Sequence, residues 1–120
     1  MATFIKKKLS GSTDGLAVKV SGTNSAGATS VHTAYTTVTT AGLCDEVWLY
    51  ANNTSAASVK LTIEWGTATA ADGNIEMTIS AEAGLVLVIP GLILQNSKTV
   101  KAFAATADVI LLTGYVNQIS

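Results

Sequence analysis

VWLYANNTSAASVKLTIEW, residues 47–65, holds two apolar runs around a small polar centre, and the two runs follow different rules. In the second, Val59, Leu61, Ile63 and Trp65 alternate with Lys60, Thr62 and Glu64. That is the period-two signature of a strand with one face in a core and the other in water. In the first, Val47, Trp48, Leu49 and Tyr50 are apolar on both parities. Such a strand must be covered twice, by an opposing sheet on one side and by a loop or another subunit on the other. Between the runs, Asn52-Asn53-Thr54-Ser55 supplies a turn, since Asn tolerates positive φ and its side chain mimics a backbone turn. The overlapping glycosylation sequons in these letters are read as that turn, because no secretory signal precedes them.

The same two patterns recur outward from this stretch. Ile75, Met77 and Ile79 alternate with Glu76, Thr78 and Ser80, whereas Leu85–Ile89 and Val109–Leu112 are apolar on both sides. No window carries a helical apolar stripe, and Gly, Asn, Asp and Ser clusters punctuate the chain at short intervals. Strands are predicted at 3–9, 15–20, 30–39, 46–52, 58–65, 74–80, 85–89, 92–95, 98–105 and 108–118. The 120 residues then form one all-β domain, an antiparallel β-sandwich or jelly roll. Val59, Leu61, Ile63 and Trp65 face inward together with Ile75, Met77 and Ile79. Pro90 cannot donate to a ladder and is expected to end or bend the strand that begins at Leu85. Gly22–Ser30, GTNSAGATS, reads as a linker-like, mobile loop.

Composition narrows the function. Charged residues make up 12% of the chain against about 25% in ordinary soluble domains, and the formal net charge is -1. There is no arginine, so neither a long-range field nor a bidentate fork is available for nucleic acid. The longest apolar stretch, Leu85–Leu94, is half the roughly 20 residues of a spanning helix and contains Pro90-Gly91, so no membrane partner is expected. The start, MATFIKKKLSGS, lacks an apolar region behind its lysines and predicts synthesis in the cytoplasm. Cys44 stands alone, which excludes a disulfide framework and makes it a small core residue.

Catalytic and ligand-holding patterns are equally sparse. His32, the one imidazole, has no nucleophile elbow beside it and reads as a strand histidine satisfied by a hydroxyl or carbonyl. Most of the carboxylates, Glu64 among them, fall at turns or on wet strand faces rather than pairing as a glycosidase dyad, and Asp45-Glu46 opens an apolar strand where it would block extension rather than bind calcium. The expectation is a non-enzyme with no cofactor and no metal. Trp48 and Tyr50 share one face while Trp65 belongs to that of Ile63, so the three make no single sugar-stacking platform and read as core or interface anchors.

The N-terminal segment is the candidate partner interface: Phe4 and Ile5 beside the basic cluster Lys6, Lys7 and Lys8. Residues 1–9 are expected to form an arm or an edge strand, pairing with a sheet edge or reaching onto a neighbouring subunit by strand addition. The alternative is a hairpin between 3–9 and 15–20 closed by Gly11–Gly15.

The blocks DEVWLYANNTSAASVKLTIEWG (45–66), GLVLVIPGLILQN (84–96) and VKAFAATADVILLTGYVNQI (100–119) resemble the small virion structural proteins of tailed bacteriophages. The likeness is to the auxiliary proteins that decorate the outside of the capsid, and it covers residues 31–119. It implies a β-rich protein present in many copies, bound to the major capsid protein and reinforcing the shell. It carries strand and turn patterns without a functional motif, so no site residue transfers. A virion carbohydrate-binding or host-recognition module and a head-to-tail or tail component are the alternative expectations.

Overall fold

The computed structural model describes residues 3–120. Alternating apolar residues and turn formers produce nine strands: β1 (Phe4–Lys8), β2 (Val18–Lys19), β3 (Thr29–Thr33), β4 (Cys44–Asn53), β5 (Val59–Trp65), β6 (Asn74–Ile79), β7 (Val86–Leu94), β8 (Thr99–Ala104) and β9 (Ile110–Ile119). They form two antiparallel sheets. One has the order β1-β9-β4-β7, with β2 also on β9, and the other the order β3-β8-β5-β6.

β1 and β2 lie along the same strand. Phe4–Lys8 pair with Ile119–Tyr115, and Val18 and Lys19 pair with Leu112 and Leu111. They are one edge strand interrupted by the excursion 9–17, not the two arms of a hairpin. Counted so, eight strands pass between the sheets in the order of a jelly roll. The hairpin loses because β9 offers a long apolar partner, whereas 3–9 and 15–20 would have only each other.

The two sheets close a common core. Val47, Leu49 and Ala51 of β4 and Ile110, Leu112 and Val116 of β9 meet Leu61 and Ile63 of β5 and Val100 and Ala102 of β8, all fully buried. Each of the larger side chains contributes about 1.5–3 kcal/mol by leaving water. Val59 and Ile79 join the core, and Trp65, Ile75 and Met77 pack at its margin, so the inward face predicted for β5 and β6 is the observed one. Cys44 is buried and free.

Four expectations need correction. The strands predicted at 85–89 and 92–95 are one, Val86–Leu94: of the two outcomes expected at Pro90, the strand does not end there but is bulged on both sides of the proline. Pro90 sits on an edge strand, where no ladder donor is needed. Two bulges absorb the misfit: Val88 and Gly91 are extra residues opposite the Tyr50–Leu49 and Trp48–Val47 steps of β4. The strand expected over 30–39 ends at Thr33: Ala34 N–H still reaches Lys98 O, but Asp45 draws off the amides of Tyr35 and Thr36. Gly22–Ser30 is a built loop: Asn24 caps the turn Ser25–Gly27, and the turn packs on β8. Finally, the 54–58 turn uses no positive φ, while the expected side-chain mimicry is observed: buried Asn53 donates to Ala57 O and Ile79 O, and its Oδ1 accepts from Ser55 N–H.

Candidate functional site

Strand parity sends Glu46, Trp48, Tyr50 and Asn52 of β4 away from the core, and β9 and β7 extend this outer face in register. Glu46 lies between Asn117 and Ile93, Trp48 between Tyr115 and Pro90, and Tyr50 between Thr113 and Leu87. The aromatic pair is nearly parallel: Trp48 and Tyr115 stack at 6.2 Å between centroids with 14° between planes. Offset stacking at that separation is favourable beyond area burial. The indole is steered by Glu46, whose Oε1 accepts from Trp48 Nε1 at 2.8 Å and Asn117 Nδ2 at 3.1 Å. Those bonds favour the charged carboxylate and hold its pKa below the ordinary value. On the other side the indole lies against Gly91, at φ +80, where an added Cβ would stand 2.9 Å from Cζ2. Glycine at that bulge is therefore needed both for its conformation and for the space above it.

Around this pair the face is apolar and open. Phe4 is 68% exposed, Ile93 65% and Leu87 45%. No element of the described residues covers them. The doubly apolar β4 therefore has the inner cover that the sequence predicts, but its outer side is bare. Tyr115, Leu87 and Ile93 escape a reading of motifs, although the both-sides apolar pattern of their strands is the signal that marks them.

The N-terminal candidates divide by parity. Phe4, Lys6 and Lys8 share the outer face with Trp48 and Tyr115, while Ile5 and Lys7 point the other way. The lysines have partners inside the domain: Lys6 Nζ sits 4.4 Å from the centroid of the Tyr115 ring, and Lys7 Nζ 4.5 Å from that of Tyr35. Lys7 also donates to Gln118 Oε1 at 2.6 Å, and Lys8 to Ser12 O at 2.9 Å. Of the alternatives for this segment, the observed one is an edge strand on its own sheet.

His32 is buried between the sheets, and both its nitrogens are engaged. Nδ1 accepts from Ser10 N–H at 3.0 Å, so Nε2 carries the proton and donates to Asp45 Oδ2 at 2.7 Å. The partner is a carboxylate and a backbone amide, not the hydroxyl or carbonyl expected. Burial lowers the histidine's pKa, more than Asp45 raises it. Asp45, expected to block extension of the strand it opens, is instead fully buried, because it also accepts from Tyr35 N–H and from the amide and hydroxyl of Thr36. Burial pushes the Tyr35 phenol and the Cys44 thiol up, and the negative charge of Asp45 adds to both. Glu64 is the second carboxylate expected in water and found buried, beneath the Ser25–Gly27 turn, where Oε2 accepts from Ser25 Oγ at 2.6 Å.

Among the described residues no group of three or more His, Cys, Asp or Glu side chains is placed to hold a metal ion, and no helix is long and apolar enough to cross a membrane. The fold and the surface define a jelly-roll sandwich with one bare, aromatic-centred sheet face. Compared with protein-family models, curated proteins and solved structures, the chain matches none.

Proposed function

We propose that this chain is a structural virion protein that decorates a phage capsid, binding the major capsid protein in many copies on the outer shell. The observation that carries the reading is the outer face of the five-stranded sheet: Phe4, Leu87 and Ile93 stand exposed around the Trp48–Tyr115 stack. A monomer free in solution rarely leaves such a patch open, and an aromatic-rich centre with few charges is the composition of an interface core. Lys6, Lys8 and Glu46 supply charges on this face, which suits a partner surface with both signs. The jelly roll agrees by analogy only, since it serves capsid proteins and sugar-binding domains alike.

The test uses capsid shells that lack this protein. Added protein should occupy many equivalent positions in a cryo-EM reconstruction. Phe4→Asp with Leu87→Asp should abolish binding while leaving the melting temperature of the free domain unchanged. Copies confined to one vertex would assign a head-to-tail role, and copies at the distal tail a host-recognition role. Undiminished binding by the double variant would move the interface elsewhere.

A further inference from the structure

At one end of the sandwich the loops 34–43, 66–73 and 95–98 come together, and two adjoining depressions open there. The larger, about 490 Å³, is walled by Trp65, Ile93 and Leu94 with the amides Gln95 and Asn96 at its rim. The smaller, about 290 Å³, reaches onto the outer face of the four-stranded sheet and is lined by Glu64, Lys98, Lys101 and the hydroxyls of Thr67, Ser97 and Thr99. Gly66, Thr67 and Lys98 belong to both. Trp65 N–H donates to Gly73 O at 2.7 Å, closing the base of the 66–73 loop and holding this rim in place.

The polar half is electrostatically incomplete. Glu64 is 2% exposed, and while Ser25 serves Oε2, Oε1 has no donor. A buried carboxylate oxygen left without a donor is costly, and few native groups are left so without a reason. Lys101 is the register partner of Glu64 on β8, yet the ion pairs of the described residues are His32–Asp45 and Lys60–Glu76. Among the described residues, neither Lys98 nor Lys101 has a carboxylate partner. One acceptor lacks a donor and two cations lack an anion, side by side, next to an indole wall.

We propose that this cleft binds an acidic saccharide, a sugar unit that carries a carboxylate. Its hydroxyls supply the donor for Glu64, its carboxylate meets Lys98 and Lys101, and its apolar ring face lies along Trp65. Each simpler ligand fails one of these conditions. A bare inorganic anion is repelled by Glu64, and a cation by the two lysines. A free amino acid satisfies the charges but leaves the Trp65 half empty. The two surfaces meet at Ile93, but Phe4 and Leu87 do not line the cleft and Lys98 and Lys101 do not lie on the aromatic face, so this proposal can fail while the capsid reading stands, and the reverse.

The experiment is an amide NMR titration of the full chain at neutral pH with trigalacturonate, beside maltotriose as the neutral saccharide and sulfate as the bare anion. Trigalacturonate should shift the amides of Gly66, Thr67, Lys98 and Thr99 saturably. Lys101→Ala, which removes an exposed side chain and keeps the fold, should weaken binding by roughly tenfold or more, as the loss of a charged hydrogen bond does. Equal responses to maltotriose or to sulfate would overturn the proposal, as would binding unchanged in Lys101→Ala. Asn74, the register partner of Glu64 on β6, has an Oδ1 that also lacks a donor. The absence of a saturable shift with trigalacturonate would overturn it too, and an Asn74 side-chain amide found bonded to Glu64 would show the missing donor supplied from within.

Discussion

On the five-stranded sheet the residues turned away from the core are Trp48, Tyr50, Tyr115, Leu87 and Ile93, and no part of the described chain lies over them. On the four-stranded sheet they are Lys60, Thr62, Glu64, Lys101 and Phe103, and the Ser25–Gly27 turn folds onto that sheet, where Ser25 bonds to the buried Glu64. The covers thus differ from what polarity alone suggests: the chain roofs part of the polar face, over Glu64, and leaves the apolar face open. Parity along a strand says which residues share a face. Whether that face meets water, a loop or another molecule is decided by segments far away in sequence.

The strongest way to break this comparison is at the tie between the sheets, where His32 of β3 meets Asp45 of β4. Asp45→Ala leaves the imidazole, two amides and a hydroxyl without their acceptor and should cost about 3–5 kcal/mol in urea unfolding. A loss below about 1 kcal/mol would mean that water replaces the carboxylate. Next come the inner faces, which should be equivalent: Leu49→Ala on one sheet and Leu61→Ala on the other should each cost about 2–5 kcal/mol. If either costs less than about 0.5 kcal/mol, that side chain has been given the wrong face.

A smaller effect is expected from pH. The folded pKa of His32 lies below its ordinary 6.5, so the unfolded chain takes up the proton first. The neutral histidine's contribution is complete above pH 6.5 and is lost as pH falls from there through the folded pKa, with a slope of at most about 1.4 kcal/mol per pH unit. His32→Gln should abolish this slope in urea melts recorded from neutral pH downward. Glu46, on the bare face, has its pKa lowered from 4.5, so its contribution is lost only further into acid, as pH falls below that value. Smallest of all, Leu87→Ser and Phe4→Ser should leave stability within about 0.5 kcal/mol, because these side chains are exposed before and after unfolding. A larger loss would show that the open face is part of the core.

How much of this the sequence discloses follows from the range of each interaction. The alternation of Val59, Leu61, Ile63 and Trp65 is local, and their shared inward face is read directly. The doubly apolar β4 likewise announces a second, outer surface. The burial of Asp45 and Glu64 is not local: the donors that satisfy Asp45 come from β3 and the loop behind it, and the roof over Glu64 comes from Ser25, 39 positions away. The seat of the N-terminal strand depends on a partner further still, with Lys7 bonded to Gln118 across 111 positions. Pro90 misleads because the prohibition on proline in a ladder lapses on an edge, and edges belong to topology. The cleft at the 66–73 loop leaves no motif, since its lining comes from the ends of β5, β7 and β8 and from loops far apart in sequence.

The strand order has a kinetic consequence. Among the described strands, only β5 and β6 are both consecutive in sequence and paired; every other ladder joins segments separated by at least one further strand. A β5–β6 ribbon can therefore form early at low entropic cost, but β9 finds β1, β2 and β4 only after long loops have closed. Chains dominated by such distant pairings reach the native state over milliseconds to seconds, far more slowly than helical bundles of similar size. During that search the strands carrying Trp48, Leu87 and Tyr115 present apolar surface on both sides. Pro90 and the two bulges of β7, which make the edge of the finished sheet hard to extend, would then also limit the pairing of one half-folded chain with the next.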